Sequence, residues 1–188
     1  MYYLLITQAS DDRDARIYGQ PDVIVESYID FGLGMVQQKT IPLVEILIKE
    51  DEQGRLTDNL IAEGATGLVV NTKIRNLLMD MGVDNIQYFD AKVINSVTGE
   101  VNEDYKIANI IGVVNCIDYD SSELEYFPDG GVMFFDKLVL DESKIKGLLI
   151  FRLFDFLPII VVNEKIKDIF EKNNISGIKF YSPEEYVL

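Results

Sequence analysis

The sequence predicts an α+β fold, rich in strands, with a mostly antiparallel sheet and two short helices. Three observations carry this. A 22-residue paragraph is written twice: residues 68–89, LVVNTKIRNLLMDMGVDNIQYF, align without a gap to residues 160–181, IVVNEKIKDIFEKNNISGIKFY, at an offset of 92. Six positions are identical (Val69/Val161, Val70/Val162, Asn71/Asn163, Lys73/Lys165, Ile74/Ile166 and Ile86/Ile178), and most others exchange like for like. Each copy also changes its apolar spacing from strand to helix and back to strand. Between the copies, residues 95–155 form a β-rich middle rather than a helical one. An internal repeat sets the architecture before any site is considered, and duplicated scaffold is usually packing. No Gly/Ser linker separates the halves, so residues 1–188 are expected to form a single domain on a pseudo-duplicated framework.

Taken in order, residues 2–7 read as an apolar, aromatic first strand. Residues 10–38 are the least patterned stretch, punctuated by Gly19, Pro21, Gly32 and Gly34. Residues 41–49 (IPLVEILIK) read as a strand, and residues 50–55 (EDEQGR) as its solvated turn. In the first copy, residues 67–70 form a buried strand and Asn71 is a natural N-cap. Ile74, Leu77, Leu78 and Met81 then recur at i, i+3, i+4 and i+7, one apolar stripe on a short helix. Gly82 follows where a left-handed residue is wanted. Residues 85–94 return as an aromatic and β-branched strand. The second copy repeats this with residues 159–162, Asn163, the stripe Ile166, Ile169 and Phe170, an Asn173-Asn174 stop, and residues 177–181. In the middle, residues 105–119 are a long apolar stretch, and Pro128-Asp129-Gly130-Gly131 is a hairpin signal between 124–127 and 132–140. Residues 146–154 are a further strand.

Composition narrows the chemistry. The chain has 188 residues, 48% of them apolar, which is enough for a sizeable core. Histidine is absent, which removes the commonest general base and the usual zinc ligands. The one cysteine, Cys116, lies in an apolar run and reads as a buried thiol. No cofactor, metal or catalytic residue is expected. The net charge of −15 argues against direct nucleic-acid binding and suits a basic protein partner, whose approach the field accelerates. The charge is spread evenly, so neither half is an acidic tail. No apolar run reaches the roughly 18 residues of a membrane span. The N-terminus lacks a basic leader, and the chain reads as cytosolic.

The motifs for phosphate and calcium loops fail. Gly32-Leu33-Gly34 is only G-x-G, and Asp118-Tyr119-Asp120 lacks the spaced glycine and closing glutamate of an EF-hand. Two carboxylates could converge from anywhere in a chain with 32 acids, so a carboxylate-based hydrolase stays open as an alternative. One stretch stands out. Residues 118–136 (DYDSSELEYFPDGGVMFFD) hold six acids and no lysine or arginine. The bland reading is a solvated loop and a sheet edge kept from aggregating by its charge. The functional reading is a partner-binding surface made of Asp118, Tyr119, Asp120, Glu123, Glu125, Tyr126, Phe127 and Asp129. There the aromatic rings would anchor, and the carboxylates would meet lysines and arginines. Tyr126 and Phe127 are adjacent, so on a strand one can pack inward while the other is offered to a partner.

The order of these motifs resembles a known family. The strand ending Val69-Val70-Asn71, its K-I-x-x-L-L helix, the run NIIGVVNCID and the acidic segment after it come first. Ile150-Phe151-Arg152, Ile160-Val161-Val162, the second helix and the terminal ISGIKF follow. This succession, over roughly residues 65–183, resembles family eleven of the immunity proteins of bacterial polymorphic toxin systems. The resemblance implies a small cytosolic protein that binds and neutralises a cognate toxin domain made by the same cell; the expected mechanism is stoichiometric occlusion, without catalysis. It transfers no catalytic residue and leaves the first sixty residues outside. An adaptor of a secretion or signalling assembly is the alternative within the binding class.

Overall fold

The computed structural model describes residues 1–187 and is 19% helix and 37% strand, as an α+β fold requires. The chain opens with β1 (Tyr2–Thr7), β2 (Arg16–Ile17), α1 (Asp22–Ser27) and β3 (Val44–Ile48). The first repeat region holds β4 (Asn59–Ala62), β5 (Leu68–Val70), α2 (Thr72–Asp80) and β6 (Ile86–Asn95). The middle supplies β7 (Val101–Asn102), β8 (Lys106–Ile110), β9 (Val113–Val114), β10 (Glu123–Tyr126) and β11 (Val132–Lys137). The second repeat region holds β12 (Ile150–Leu153), β13 (Phe156–Asn163), α3 (Glu164–Lys172) and β14 (Ile178–Tyr181).

Two larger sheets result. One has the order β14-β1-β13-β12-β9, and the other has the order β2-β4-β5-β8-β6-β3 with β7 on β6. The β10–β11 hairpin forms a two-stranded sheet of its own. Eight of the eleven strand pairings are antiparallel, and β2–β4, β3–β6 and β9–β12 are parallel.

The repeat is built as two equivalent strand–helix–strand units. In each, one further strand runs antiparallel between the two strands of the unit. Ala108 of β8 sits opposite both Leu68 and Tyr88. Leu5 of β1 sits opposite both Ile160 and Phe180, the residues 92 positions further on. The middle strand therefore comes from after the first unit in one case and from the N-terminus in the other. Adding β4 to the first unit and β12 to the second gives two matching four-stranded groups. Asn71 and Asn163 cap α2 and α3, accepting from the N–H of Ile74 at 3.2 Å and of Lys165 at 3.0 Å. Gly82 and Asn174, again 92 apart, both take the left-handed backbone that ends the helix, with φ of 76° and 50°.

Strand alternation sends side chains to different cores. Leu5, Ile160 and Val162 join Leu68, Val70, Ala108 and Ile110 in a core covered by Ile74 and Leu78 of α2 and by Ile166 and Phe170 of α3. Leu4, Val161 and Phe151 face the opposite way, into a core shared with Phe135 and Leu138 beneath the hairpin. Val69 and Ile107 face a third core with Ile24, Phe31, Val44 and Ile46.

The structure departs from the sequence reading in four places. A third α-helix, α1, occupies part of the unpatterned stretch; with six residues and one buried side chain, Ile24, it is too short to show a stripe. That stretch is also more deeply anchored than its composition suggests, since Ile17, Ile24, Ile29 and Phe31 are all buried. The long apolar run after Tyr105 is two strands, separated at Gly112 with φ 107°. The turn after β3 is not wholly solvated: Glu52 is 4% exposed, and its carboxylate accepts from the N–H groups of Tyr18 and Lys49, each at 2.9 Å.

Candidate functional site

The hairpin β10–β11 is held from beneath by apolar side chains spaced three apart rather than two, because the pairing shifts register twice. Val132, Phe135 and Leu138 are buried, and the Phe135 ring meets Phe156 edge-on at 6.2 Å. The opposite face is left to polar and aromatic groups. Glu125 faces Phe134 across the strands, and both are exposed. Asp129 closes the turn by accepting from the Gly131 N–H at 3.2 Å, while Gly130 takes φ 90°, a conformation that favours glycine.

Asp118 organises the loop before the hairpin. Its Oδ1 accepts from the N–H groups of Asp120 and Ser121 at 3.2 and 3.3 Å, and its carbonyl accepts from the Ser122 N–H at 3.0 Å. Ser122 in turn accepts from the Val139 N–H at 2.9 Å, which ties the loop to the far end of the hairpin. Asp118 and Asp129 thus shape the backbone. Asp120, Glu123 and Glu125 are exposed and make no side-chain hydrogen bond or ion pair among the described residues.

The aromatic residues do not divide as the alternation rule suggests. Tyr126 is 50% exposed and Phe127 49%. The reason is local: the register shifts between Glu125 and Tyr126, and Phe127 already belongs to the turn, its N–H bonded to the Gly131 carbonyl at 2.7 Å. Neither ring is pulled into the core. Tyr119 lies beside them and donates to Asp155 Oδ2 at 2.9 Å. Desolvation, the bond to Asp155 and the nearby Tyr126 push its phenol up to about 12, so it stays a neutral donor at neutral pH.

The structure adds residues that the sequence did not single out. Phe134 and Phe154 are 47% and 57% exposed, and Asp155 contributes a carboxylate from the turn between β12 and β13. Phe134 is adjacent to the buried Phe135, and the pair FF gives no hint of which ring faces out. Asp155 is 36 positions from Tyr119 and is brought to it only by tertiary packing. Cys116 is buried, and burial pushes its thiol up to about 11, in keeping with an inert side chain. No helix among the described residues is long and apolar enough to cross a membrane.

No curated protein matches the chain. The model of the immunity protein family Imm11 matches residues 16–185. The match begins well before residue 65, so β2, α1 and β3 fall within the family's span and not outside it. The match takes in both repeat units and the hairpin between them, and the chain belongs to the Imm11 immunity protein family.

Proposed function

We propose that the chain neutralises a cognate toxin domain by binding it one to one, without catalysis, and that the hairpin face is the contact surface. The observation that carries this is the composition of that face. Five rings, Tyr119, Tyr126, Phe127, Phe134 and Phe154, are each 42–57% exposed in one region of the chain. Set among them are six acids between Asp118 and Asp136, none of which forms an ion pair among the described residues. Half-exposed aromatic anchors in a stretch whose carboxylates pair with no lysine or arginine are what a basic protein surface would complement. The chain's overall charge of −15 would speed the approach of such a partner. The acids would occupy the cationic groups that the toxin uses on its own substrate. The cytoplasm, where the toxin is made, is the compartment in which this protection is needed.

The test is a calorimetric titration against the toxin domain encoded by the adjacent reading frame, using the triple variant Glu123→Gln/Glu125→Gln/Asp129→Asn. The amide at position 129 keeps an oxygen for the Gly131 N–H, so the turn and the thermal melt are expected to hold. Affinity is expected to fall by roughly 2–4 kcal/mol if these groups face arginines. Unchanged affinity in a folded variant would return the hairpin to a solvated edge.

A further inference from the structure

A second, chemically different feature lies where the two four-stranded groups meet. A cleft of about 710 Å³ opens between β1, β4 and the start of β13, with Leu5, Leu60, Leu68, Phe156 and Ile160 among its walls. Arg152 of β12 also lines it and is only 2% exposed. Its Nη1 donates to the Leu157 carbonyl at 2.8 Å and its Nη2 to the Phe31 carbonyl at 3.1 Å. Its Nε is buried without an acceptor, and the guanidinium forms no ion pair among the described residues. Asp30 shares the cleft but spends one carboxylate oxygen on the Gly32 N–H at 2.6 Å. Burial pulls the guanidinium down to about 10, against the opposing pull of Asp30, so it remains charged at neutral pH.

A buried cation held by two carbonyls is an unbalanced arrangement. Taking a charge out of water costs several kcal/mol unless an anion offsets it, and buried charges are as a rule paired. The charge also borders a cleft of the size and apolar character of small-ligand sites, which run from about 300 to 1,000 Å³. We propose that this cleft is a binding site for a small monocarboxylate with an apolar body, its carboxylate paired with Arg152 and its body against Leu5, Leu60 and Ile160. A monoanion fits better than a phosphate. Among the described residues only one cation lines the cleft, which also carries Asp30 and Glu63, and the molecule's net charge of −15 opposes a dianion. The inference stands apart from the hairpin face and does not depend on the toxin reading.

The probe is decanoate, titrated calorimetrically into the full chain beside the isosteric, uncharged decanamide. Decanoate is expected to bind one to one and at least tenfold more tightly than decanamide. Methyl chemical shifts should move for Leu5, Leu60 and Ile160 and not for Leu138. Arg152→Met should abolish the preference for the acid, whereas Arg152→Lys should keep part of it. Should Arg152→Met fail to fold, the acid-to-amide ratio on the unaltered chain and the shift map decide the matter. Equal binding of acid and amide, no binding of decanoate at millimolar concentration, or shifts confined to other cores would each overturn the proposal.

Discussion

Asp58 and Ser176 hold the two repeat units together across 118 residues of chain. The Asp58 carboxylate accepts from the Ser176 N–H at 2.9 Å and from its hydroxyl at 3.0 Å, and the Asp58 N–H donates to the same hydroxyl at 2.9 Å. The other oxygen accepts from the side chain of Asn71, the cap of α2, at 2.9 Å. The loop between α3 and β14 of the second unit is thereby fastened to the helix start of the first. A related bond runs the other way: Asn85, in the corresponding loop of the first unit, donates to the Ile150 carbonyl of the second at 2.9 Å.

Asp58→Asn should therefore destabilise the fold by roughly 1–3 kcal/mol, since it removes a charge-assisted acceptor and leaves donors short of partners. Its pH dependence has a definite sign. Burial works against the charged carboxylate, but the bonds from Ser176, Asn71 and Lys73 outweigh it and hold the group below its ordinary value. A depressed folded value gives stability that is present above the unfolded value, about 4, and is lost as pH falls through the folded one. Urea midpoints at pH 7 and pH 3 should show the gap between wild type and variant narrowing at the lower pH. A gap independent of pH would mean that the carboxylate charge contributes nothing.

The two helix caps are expected to differ. Replacing Asn163 with alanine removes one cap bond and should cost about 1 kcal/mol. Asn71→Ala also takes a donor from Asp58, so its loss should be the larger of the two. Equal losses in chemical denaturation would show that the Asn71–Asp58 bond adds no stability.

Two glycines in left-handed conformations make a sharper pair. Gly82 has φ 76° with open space around a would-be Cβ, and its equivalent in the second unit is Asn174. Gly82→Asn should change stability by no more than about 1 kcal/mol, because asparagine tolerates this backbone. Gly177 has φ 83°, and a Cβ there would sit 1.9 Å from the Asn59 carbonyl oxygen. Gly177→Ala should cost well over about 2 kcal/mol, the upper end of the conformational term alone. Thermal melts of the two variants provide the comparison, and a Gly177→Ala protein as stable as wild type would contradict the packing of that loop.

Charge steering has its own kinetic signature. The association rate constant with the toxin domain should fall steeply between low and physiological ionic strength, while dissociation changes little. Stopped-flow measurements across salt concentrations test this. An on-rate indifferent to salt would leave the net charge a solubility feature.

Much of the architecture was legible in the chain. The 22-residue repeat, its copies offset by 92, marked out two strand–helix–strand units, because apolar spacing and capping chemistry are local and each copy restates them. Asn71, Asn163 and Gly82 could be assigned from sequence for the same reason. The acidity and aromatic content of residues 118–136 were equally visible, as composition needs no fold to be read. Other features belong to the tertiary structure alone. That β1 completes the second unit as β8 completes the first follows from pairing over long separations, which leaves no mark on either strand. The joint exposure of Tyr126 and Phe127 comes from a register shift, and the meeting of Tyr119 with Asp155 from a turn 36 residues away. Arg152 reads in sequence as an interruption of an apolar run. Only the packing of Phe31 and Leu157 around it makes it a buried charge, because burial is set by what the rest of the chain brings near and not by a residue's neighbours in sequence.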